Sequence, residues 1–350
     1  MQRAFITIAL IVALPATAGE GDVRYDHGLR IQSQSSSLHL TTRLQGRALM
    51  ESDEPLSAHL ARIRFSGKGH LVHDNVKYKF QLALEKGQVR VKDLYTDLDL
   101  GSAKLRIGQS KEAWSRQQIT SSSQLALIDR SITDTDFYAG RGFGVMLHNG
   151  LGKSKRVEWA LNAHLDDQLL QRDKETGIGN WNNTQQHVLP VVGGRLGYSS
   201  EGMKGYNEAD LQGGGLRAAV AISAKAHLSD IDDTQGAYTQ LDFALKAHGA
   251  NLLGAVYGGE RLVNGKLKPC GSGAHVQGGF MLNNKLQLAG RTAFTEFEGV
   301  VNTEVGGGVN VLLDGYHLYW QTGAYHVTRA AGADQVGKTW TAQSQVQLIF

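Results

Sequence analysis

The sequence predicts an all-β fold, a transmembrane antiparallel β-barrel of about 16 strands, from three observations. Apolar and polar side chains alternate in segments of about 8 to 14 residues separated by turn signals, which is the period of a strand. No run of 18 or more apolar residues marks a transmembrane helix. The chain also ends on an aromatic residue, Phe350, which closes the last alternating segment.

Each alternating segment has one face that avoids water and one that tolerates it. In the segment 75–86, Val76 and Phe80 lie on one face, whereas Lys77 and Lys79 lie on the other. A β-sandwich satisfies this pattern with its apolar faces turned inward, and a membrane barrel satisfies it with its apolar faces turned to lipid. Periodicity alone leaves both folds open.

The number and spacing of the segments favour the barrel, because single-chain bacterial barrels have an even number of strands. Long connections, such as 111–141 and 166–190, mostly alternate with short ones. Two regions fit poorly. Segment 28–34 looks like a strand outside the count, and the connection 200–214 is too long for the end of the barrel where short connections are expected. The predicted strands are 36–49, 58–68, 76–86, 89–100, 103–110, 142–149, 155–165, 191–199, 215–227, 237–248, 250–261, 272–283, 285–297, 300–313, 315–328 and 338–350.

The composition is consistent with a barrel and excludes several other classes. The 350 residues include 43 Gly, 4 Pro and 1 Cys. Proline is scarce because a closed sheet has no edge strand to accommodate it, and the run 306–308 of three glycines predicts a bulge or a close backbone approach. A single cysteine, Cys270, cannot form an intrachain disulfide framework or a cysteine-rich zinc site, and its loop-like surroundings indicate an incidental residue.

The first residues have the pattern of an export signal. Arg3 precedes an apolar stretch, 4–14, and Ala16-Thr17-Ala18 fits the small-x-small cleavage rule. We expect cleavage after Ala18, which leaves residues 19–350 as one barrel domain. The alternative is a buried N-terminal helix.

Residues 104–149 carry a family resemblance. A strand that ends in Gly108-Gln109-Ser110-Lys111 is followed by Ser121-Ser122, Arg130-Ser131 and a re-entry at Gly140-Arg141-Gly142-Phe143-Gly144-Val145. This order resembles the phosphate-selective porin O and P family of Gram-negative outer-membrane porins. The resemblance implies a sixteen-stranded, usually trimeric barrel whose third loop folds into the lumen as a constriction. That loop corresponds here to about 111–141, with the candidate constriction residues Lys111, Arg116, Arg130 and Arg141.

The lumen wall is predicted to carry a basic surface in the early strands. If the apolar positions face lipid, the alternate positions face the lumen, with Lys68 near the end of the second strand and an acidic stripe of Asp93, Asp97 and Asp99. Lys and Arg in a pore wall favour anions, so we expect a modest anion preference. Alternatively, these side chains pair with Glu85 and the acidic stripe and only brace the barrel. The eight basic wall positions are Arg43, Arg47, Arg62, Arg64, Lys77, Lys79, Lys104 and Arg106.

The leading functional prediction is an outer-membrane porin for passive diffusion of small hydrophilic solutes or anions. We expect contact with outer-membrane lipid, a homotrimer, and no nucleic-acid partner. No catalytic residue, cofactor or metal site is predicted, because the His residues are scattered and neither a Gly-x-Ser-x-Gly elbow nor a phosphate loop is present. One alternative is a plugged outer-membrane barrel that acts as a hydrolase or scaffold. Another is a secreted sandwich lectin or hydrolase, which would dissolve without detergent.

Overall fold

The computed structural model describes residues 21–52, 54–72, 74–85, 88–166, 190–228, 235–263, 265–297, 299–331 and 336–350. The expected signal peptide, 1–18, lies outside these residues, as does most of the connection 166–190. In the described part of the chain, no helix is long and apolar enough to cross a membrane.

The described residues form eighteen strands and two helices of a single turn each. The first nine strands are β1 (Asp22–Tyr25), β2 (Leu29–Gln32), β3 (Ser37–Glu51), β4 (Ser57–Leu71), β5 (Val76–Glu85), β6 (Gln88–Asp99), β7 (Lys104–Lys111), β8 (Arg141–His148) and β9 (Val157–Asp166). The others are β10 (Pro190–Ser199), β11 (Arg217–His227), β12 (Gly236–Ala247), β13 (Ala250–Val263), β14 (Lys266–Met281), β15 (Leu286–Phe297), β16 (Val300–Asp314), β17 (Leu318–Ala331) and β18 (Val336–Ile349). The helices are α1 (Arg116–Ile119) and α2 (Ile132–Asp136).

Strands β3 to β18 close into a sixteen-stranded antiparallel barrel. Each pairs with its neighbours along the chain, and β18 returns to pair with β3, with Thr341 opposite Glu51 and Ile349 opposite Arg43. Each of the sixteen predicted segments coincides with one of these strands, fifteen of them to within three residues at either end. The exception is β14, which begins at Lys266, six residues before its predicted start, so the expected loop position of Cys270 is wrong and the residue lies in this strand. The barrel prediction is therefore confirmed, and the single closed sheet excludes a sandwich.

The remaining strand-like segment, 28–34, contains the second strand of an N-terminal hairpin, β1–β2. Strand β2 pairs with the start of β3, Leu29 opposite Leu40, where β18 has already ended. The last residue, Phe350, exchanges two backbone hydrogen bonds with Thr42 at that junction. Only glycine fits at Gly28, since its φ is +142° and a Cβ would lie 2.3 Å from the Leu40 carbonyl oxygen. The hairpin therefore continues the barrel wall beyond the end of the chain.

The barrel is apolar outside and polar inside. Leu161 and Trp340 are each 61% exposed on the outer face, whereas Gln45 and Gln347 are fully buried inside. A continuous exposed apolar surface is stable in lipid and not in water, so the outer face is the lipid-facing wall of a membrane barrel. The backbone groups of the wall then pair within the closed sheet, as a membrane requires.

Two local irregularities in the sequence pattern have simple structural explanations. Ser344, the polar residue on the outer face of β18, accepts a hydrogen bond from Trp320 Nε1 at 2.7 Å. The three glycines of β16 form no bulge; instead, a Cβ on Gly308 would lie 2.3 Å from the backbone carbonyl oxygen of Thr322 on the neighbouring strand. The close backbone approach is therefore the correct one of the two predictions, and the nearby bulge lies after Leu312.

Candidate functional site

The connection between β7 and β8, residues 112–140, folds into the barrel. It is the third connection on its rim and crosses to the opposite wall, where its backbone meets inward-facing side chains. The Ala126 carbonyl accepts a hydrogen bond from Asn310 at 2.7 Å, and the Ile128 N–H donates to the Tyr325 hydroxyl at 3.2 Å. We refer to residues 112–140 as the constriction loop.

An aromatic cluster inside the barrel anchors the constriction loop. Trp114 donates from Nε1 to the Phe137 carbonyl at 2.9 Å, which joins the two ends of the loop. The Phe137 ring stacks on Tyr257 of β13 with centroids 5.2 Å apart. Burial of these large rings fixes the loop against β13, because each removes a large apolar area from water.

Two of the predicted constriction cations hold the first helix of the loop. Lys111 Nζ donates to the carbonyl oxygens of residues 118–120, at 2.7 to 3.0 Å. Arg130 donates to the carbonyls of Gln117 and Thr120 at 2.9 Å. Both side chains therefore satisfy carbonyls that the single turn of α1 leaves unpaired, and they place positive charge at its C-terminus.

The connection between β10 and β11, residues 200–216, enters the lumen from the opposite rim, which accounts for its unexpected length. The Glu208 carboxylate accepts from the Ala126 N–H and from Gln277 Nε2, each at 2.7 Å. The Arg116 guanidinium donates to the Gly205 carbonyl at 3.1 Å and lies 4.2 Å from the centre of the Tyr206 ring. This segment, called here the second inward segment, therefore supports the constriction loop from the opposite rim of the barrel.

Buried ion pairs of the wall hold the constriction loop in place. Arg195 binds Asp242 with two hydrogen bonds of 2.7 and 2.9 Å and also donates to the Trp114 carbonyl. Arg291 binds Glu304 at 2.5 Å and donates to the carbonyl of Asp129 in the loop. Asp242 in addition accepts the backbone N–H of residue 116 at 3.0 Å. The inner faces of β10–β18 are thus covered by protein, and we call this side the packed half of the lumen.

An open cavity of about 950 Å³ remains between the constriction loop and the inner faces of β2–β8. We call this side the open half. Twelve Lys or Arg side chains line the cavity against two carboxylates, Asp93 and Asp97. The twelve are Arg30, Arg62, Arg64, Lys68, Lys77, Lys79, Arg106, Lys111, Arg130, Arg141, Lys153 and Lys204.

Eight of the twelve predicted basic positions line this cavity, and four lie elsewhere. Arg116 is buried in the packed half, as described above. Arg43 donates to Ser122 of the constriction loop at 3.2 Å, and Arg47 forms two hydrogen bonds with Asp129 at 3.0 and 3.1 Å. Lys104 pairs with Asp99 beside the connection 100–103. The eight that line the cavity are Lys111, Arg130, Arg141, Arg62, Arg64, Lys77, Lys79 and Arg106.

Glu85 and the three aspartates of the acidic stripe all form ion pairs with basic residues of the wall. This agrees with the alternative interpretation, in which such pairs brace the barrel. Glu85 binds Arg64 at 2.9 Å, and Asp97 binds Arg106 at 2.7 Å. Asp93 binds both Lys79 and Arg141, at 2.6 and 2.7 Å. The pairs brace the wall, but the number of cations exceeds the number of acids.

The excess positive charge is concentrated near the rim from which the second inward segment enters. The charged groups that act on the exposed Lys68 side chain are Lys153, Lys79 and Arg30, all of them positive. The sequence pattern did not identify three of the basic residues that line the cavity, Arg30, Lys153 and Lys204. Arg30 lies in the hairpin that had no place in the strand count, and the two lysines lie in connections, where no alternation indicates direction.

Two carboxyl groups of the constriction loop have opposite electrostatic environments. Burial alone would raise the pKa of Asp129, but Arg47 and Arg62 outweigh burial and lower it. Burial raises the pKa of Asp134 to about 6, with Arg130 opposing the shift. Asp134 therefore gains a proton as the pH falls through about 6, a range in which Asp129 stays ionised.

A closed sixteen-stranded barrel with a lipid-facing apolar surface, a charged lumen and an inward third loop is an outer-membrane barrel of the porin type. The family model described as phosphate-selective porin O and P matches residues 46–175, which confirms the resemblance in the sequence. This match and the barrel place the chain in the outer membrane of a Gram-negative bacterium. No curated protein matches the chain.

Solved outer-membrane barrels share the fold at low sequence identity. A loop L8 deletion mutant of OmpT, an outer membrane protein of Vibrio cholerae, aligns over 91% of this chain and 100% of its own, with a TM-score of 0.61 and 11% identity. An anion-selective porin from Comamonas acidovorans aligns over 90% and 100%, with a TM-score of 0.60 and 10% identity. The channel DcaP of Acinetobacter baumannii aligns over 91% and 99%, with a TM-score of 0.58 and 11% identity.

Proposed function

We propose that the chain is a passive outer-membrane channel for small hydrophilic solutes, with a modest preference for anions, rather than an enzyme, and that it uses no cofactor. The observation that carries the proposal is the charge of the open cavity, twelve basic side chains against two acidic ones. A pore wall of this sign attracts anions and repels cations.

The preference is modest because part of the charge is neutralised locally. Asp93 and Asp97 occupy the cavity wall and compensate Lys79, Arg141 and Arg106. The uncompensated charge near Lys68 and Lys153 acts over water, where a unit charge about 10 Å away contributes about 0.4 kcal/mol. Several such charges together favour anions several-fold without excluding neutral solutes.

Phosphate is included among the proposed anions. Arg62 and Arg64 of β4 present guanidinium groups to the cavity, and guanidinium pairs well with phosphate oxygens. The matched family is described as phosphate-selective, and the similar Comamonas acidovorans porin is described as anion-selective. Both descriptions agree with the positive charge of the cavity.

We further propose that the mature chain, residues 19–350 after cleavage of 1–18, is a single barrel that assembles as a homotrimer in outer-membrane lipid. One of the similar solved structures is described as the trimer form of OmpT. A trimer would give conductance in three equal steps for each insertion event.

Planar-bilayer recording tests the channel, its ion preference and its assembly together. The purified full chain should insert with stepwise conductance. In a potassium chloride gradient, the reversal potential should have the sign expected when chloride is more permeant than potassium. Replacing chloride by phosphate should retain measurable current. Absence of conductance would contradict the channel. A reversal potential of the sign for higher potassium than chloride permeability would contradict the anion preference, and a single step for each insertion event would contradict the trimer.

A further inference from the structure

Three side chains from opposite ends of the chain meet outside the lumen site. His27 lies in the turn of the N-terminal hairpin, and Asp314 and His317 lie at the β16–β17 turn. One ligand atom from each lies within 4.8 Å of the others. We propose that these residues bind a transition-metal dication of the zinc type.

The donor set fits such an ion. Two imidazoles and a carboxylate are the ligands of many zinc sites, with Zn–N distances of about 2.0 to 2.1 Å. His27 Nδ1 already lies 3.7 Å from Asp314 Oδ2, whereas two ligand atoms on a tetrahedral zinc ion lie about 3.3 Å apart. The His27 and His317 rings are stacked with centroids 3.7 Å apart, so both imidazoles are close to the site and must rotate out of the stack to turn a nitrogen of each toward one ion.

The three side chains are accessible from water. His27 and Asp314 are 45% and 59% exposed, respectively, and His317 is partly buried. An ion can therefore enter without opening the barrel. A water molecule can complete a tetrahedral site, because three protein ligands leave one position open.

The site joins the N-terminal hairpin to the β16–β17 turn. The hairpin holds to the barrel through β2, whose four residues pair with the start of β3, whereas β1 pairs with β2. The β16–β17 turn lies beside the chain end, since the Ile349 N–H donates to the His317 carbonyl at 2.7 Å. A bound ion would clamp the hairpin to this turn.

The clamp is connected to the lumen through the hairpin. Arg30, three residues after His27, lines the open cavity and pairs with Asp26 of the same hairpin at 2.8 Å. A metal at His27 therefore fixes the element that carries one of the cavity's basic side chains.

Isothermal titration of the full chain in detergent with zinc chloride tests the site, using protein without a histidine tag. The wild-type chain should bind one zinc ion that His317→Ala weakens at least tenfold, since loss of even an outer-shell partner costs about that much. Asp314→Asn keeps the shape of the side chain and the backbone hydrogen bonds of the turn. It should also lower the affinity for this zinc ion.

The matched control is His248→Asn. His248 is an exposed histidine in a turn at the same rim, and Asn tolerates its positive φ of 49°. This variant should bind zinc as the wild type does. Equal zinc binding by wild type, His317→Ala and Asp314→Asn, with unchanged circular dichroism, would overturn the proposal, as would failure of the wild type to bind one ion. Neither outcome depends on channel activity.

Discussion

The two halves of the lumen are built from the same strand pattern and do different things. In the packed half, the constriction loop and the second inward segment cover the inner faces of β10–β18. In the open half, the faces of β2–β8 border a cavity of about 950 Å³. The strands therefore build the wall, and the inward segments decide which part of it a solute meets.

The charges of the two halves follow from this difference in hydration. In the packed half, Arg195 is matched by Asp242 and Arg217 by Asp210, since a buried charge without a partner is costly. In the open half, Lys68 and Lys153 have no such constraint, because water solvates them. The surplus of positive charge is therefore confined to the wetted half, where it acts on solutes.

The largest effect is expected from breaking a pair in the packed half. Asp242→Asn removes the carboxylate that is hydrogen-bonded to the Arg195 guanidinium, which is 1% exposed, and leaves Glu158 Oε1 at 3.8 Å as its remaining countercharge. Loss of one partner of a buried pair costs about 3 to 5 kcal/mol, so the free energy of unfolding should fall by that order. Denaturant unfolding in detergent, followed by circular dichroism, measures the loss.

The matched variant in the open half is Asp97→Asn. Arg106 and Asp97 are each 12% exposed beside the water-filled cavity, so the freed guanidinium can be hydrated. A smaller loss than for Asp242→Asn is expected, because this pair borders the open cavity whereas the Arg195–Asp242 pair is enclosed by protein. Equal losses for Asp242→Asn and Asp97→Asn would show that the two halves do not differ in hydration.

The sequence could predict the wall better than the lumen, for physical reasons. Alternation reports which side of a strand meets lipid, so all sixteen barrel strands and the inward direction of Arg62 and Arg64 could be read from it. Connections carry no such period. The path of the second inward segment depends on Glu208 meeting the Ala126 N–H, a contact between residues far apart in the chain. Burial of Arg116 depends on the same packing.

A pH effect of intermediate size is expected from Asp134, which lies in the packed part of the constriction loop. Because its folded-state pKa is raised to about 6, its protonation contributes stability that is fully present below about pH 4 and is lost as the pH rises through about 6. Asp134→Asn should remove this dependence and stabilise the protein at pH 8 by about 3 kcal/mol. Unfolding midpoints at pH 5 and pH 8 measure it.

The comparison between variants isolates this group, since other carboxyls titrate equally in both proteins. The Asn amide oxygen can still accept the Ser115 hydroxyl, which lies 2.6 Å from Asp134 Oδ1. An identical pH dependence in wild type and Asp134→Asn would mean that Asp134 is ionised in the folded protein throughout this range.

The smallest energetic effect, and the most specific for ion preference, is expected from the surplus lysines of the open half. Replacing Lys68, Lys153 and Lys204 together by Gln removes three charges, each worth about 0.4 kcal/mol at about 10 Å in water. The anion-to-cation permeability ratio should fall several-fold, with little change in stability. Reversal potentials in a salt gradient measure the ratio.

Lys285→Gln is the matched control, because Lys285 lies in the connection between β14 and β15 on the same rim and does not line the cavity. Its permeability ratio should equal that of the wild type. A ratio unchanged in the triple variant would mean that these lysines do not set the ion preference.

Cysteine accessibility tests most directly whether solutes pass through the open half. In a Cys270→Ser background, Lys68→Cys places a thiol in the open cavity, and Gln321→Cys places one in the packed half, where Gln321 is 1% exposed. A charged, water-soluble methanethiosulfonate reagent should reduce the conductance of Lys68→Cys and leave that of Gln321→Cys unchanged. Block of Gln321→Cys without block of Lys68→Cys would place the solute path on the opposite side of the constriction loop and contradict the division of the lumen described here.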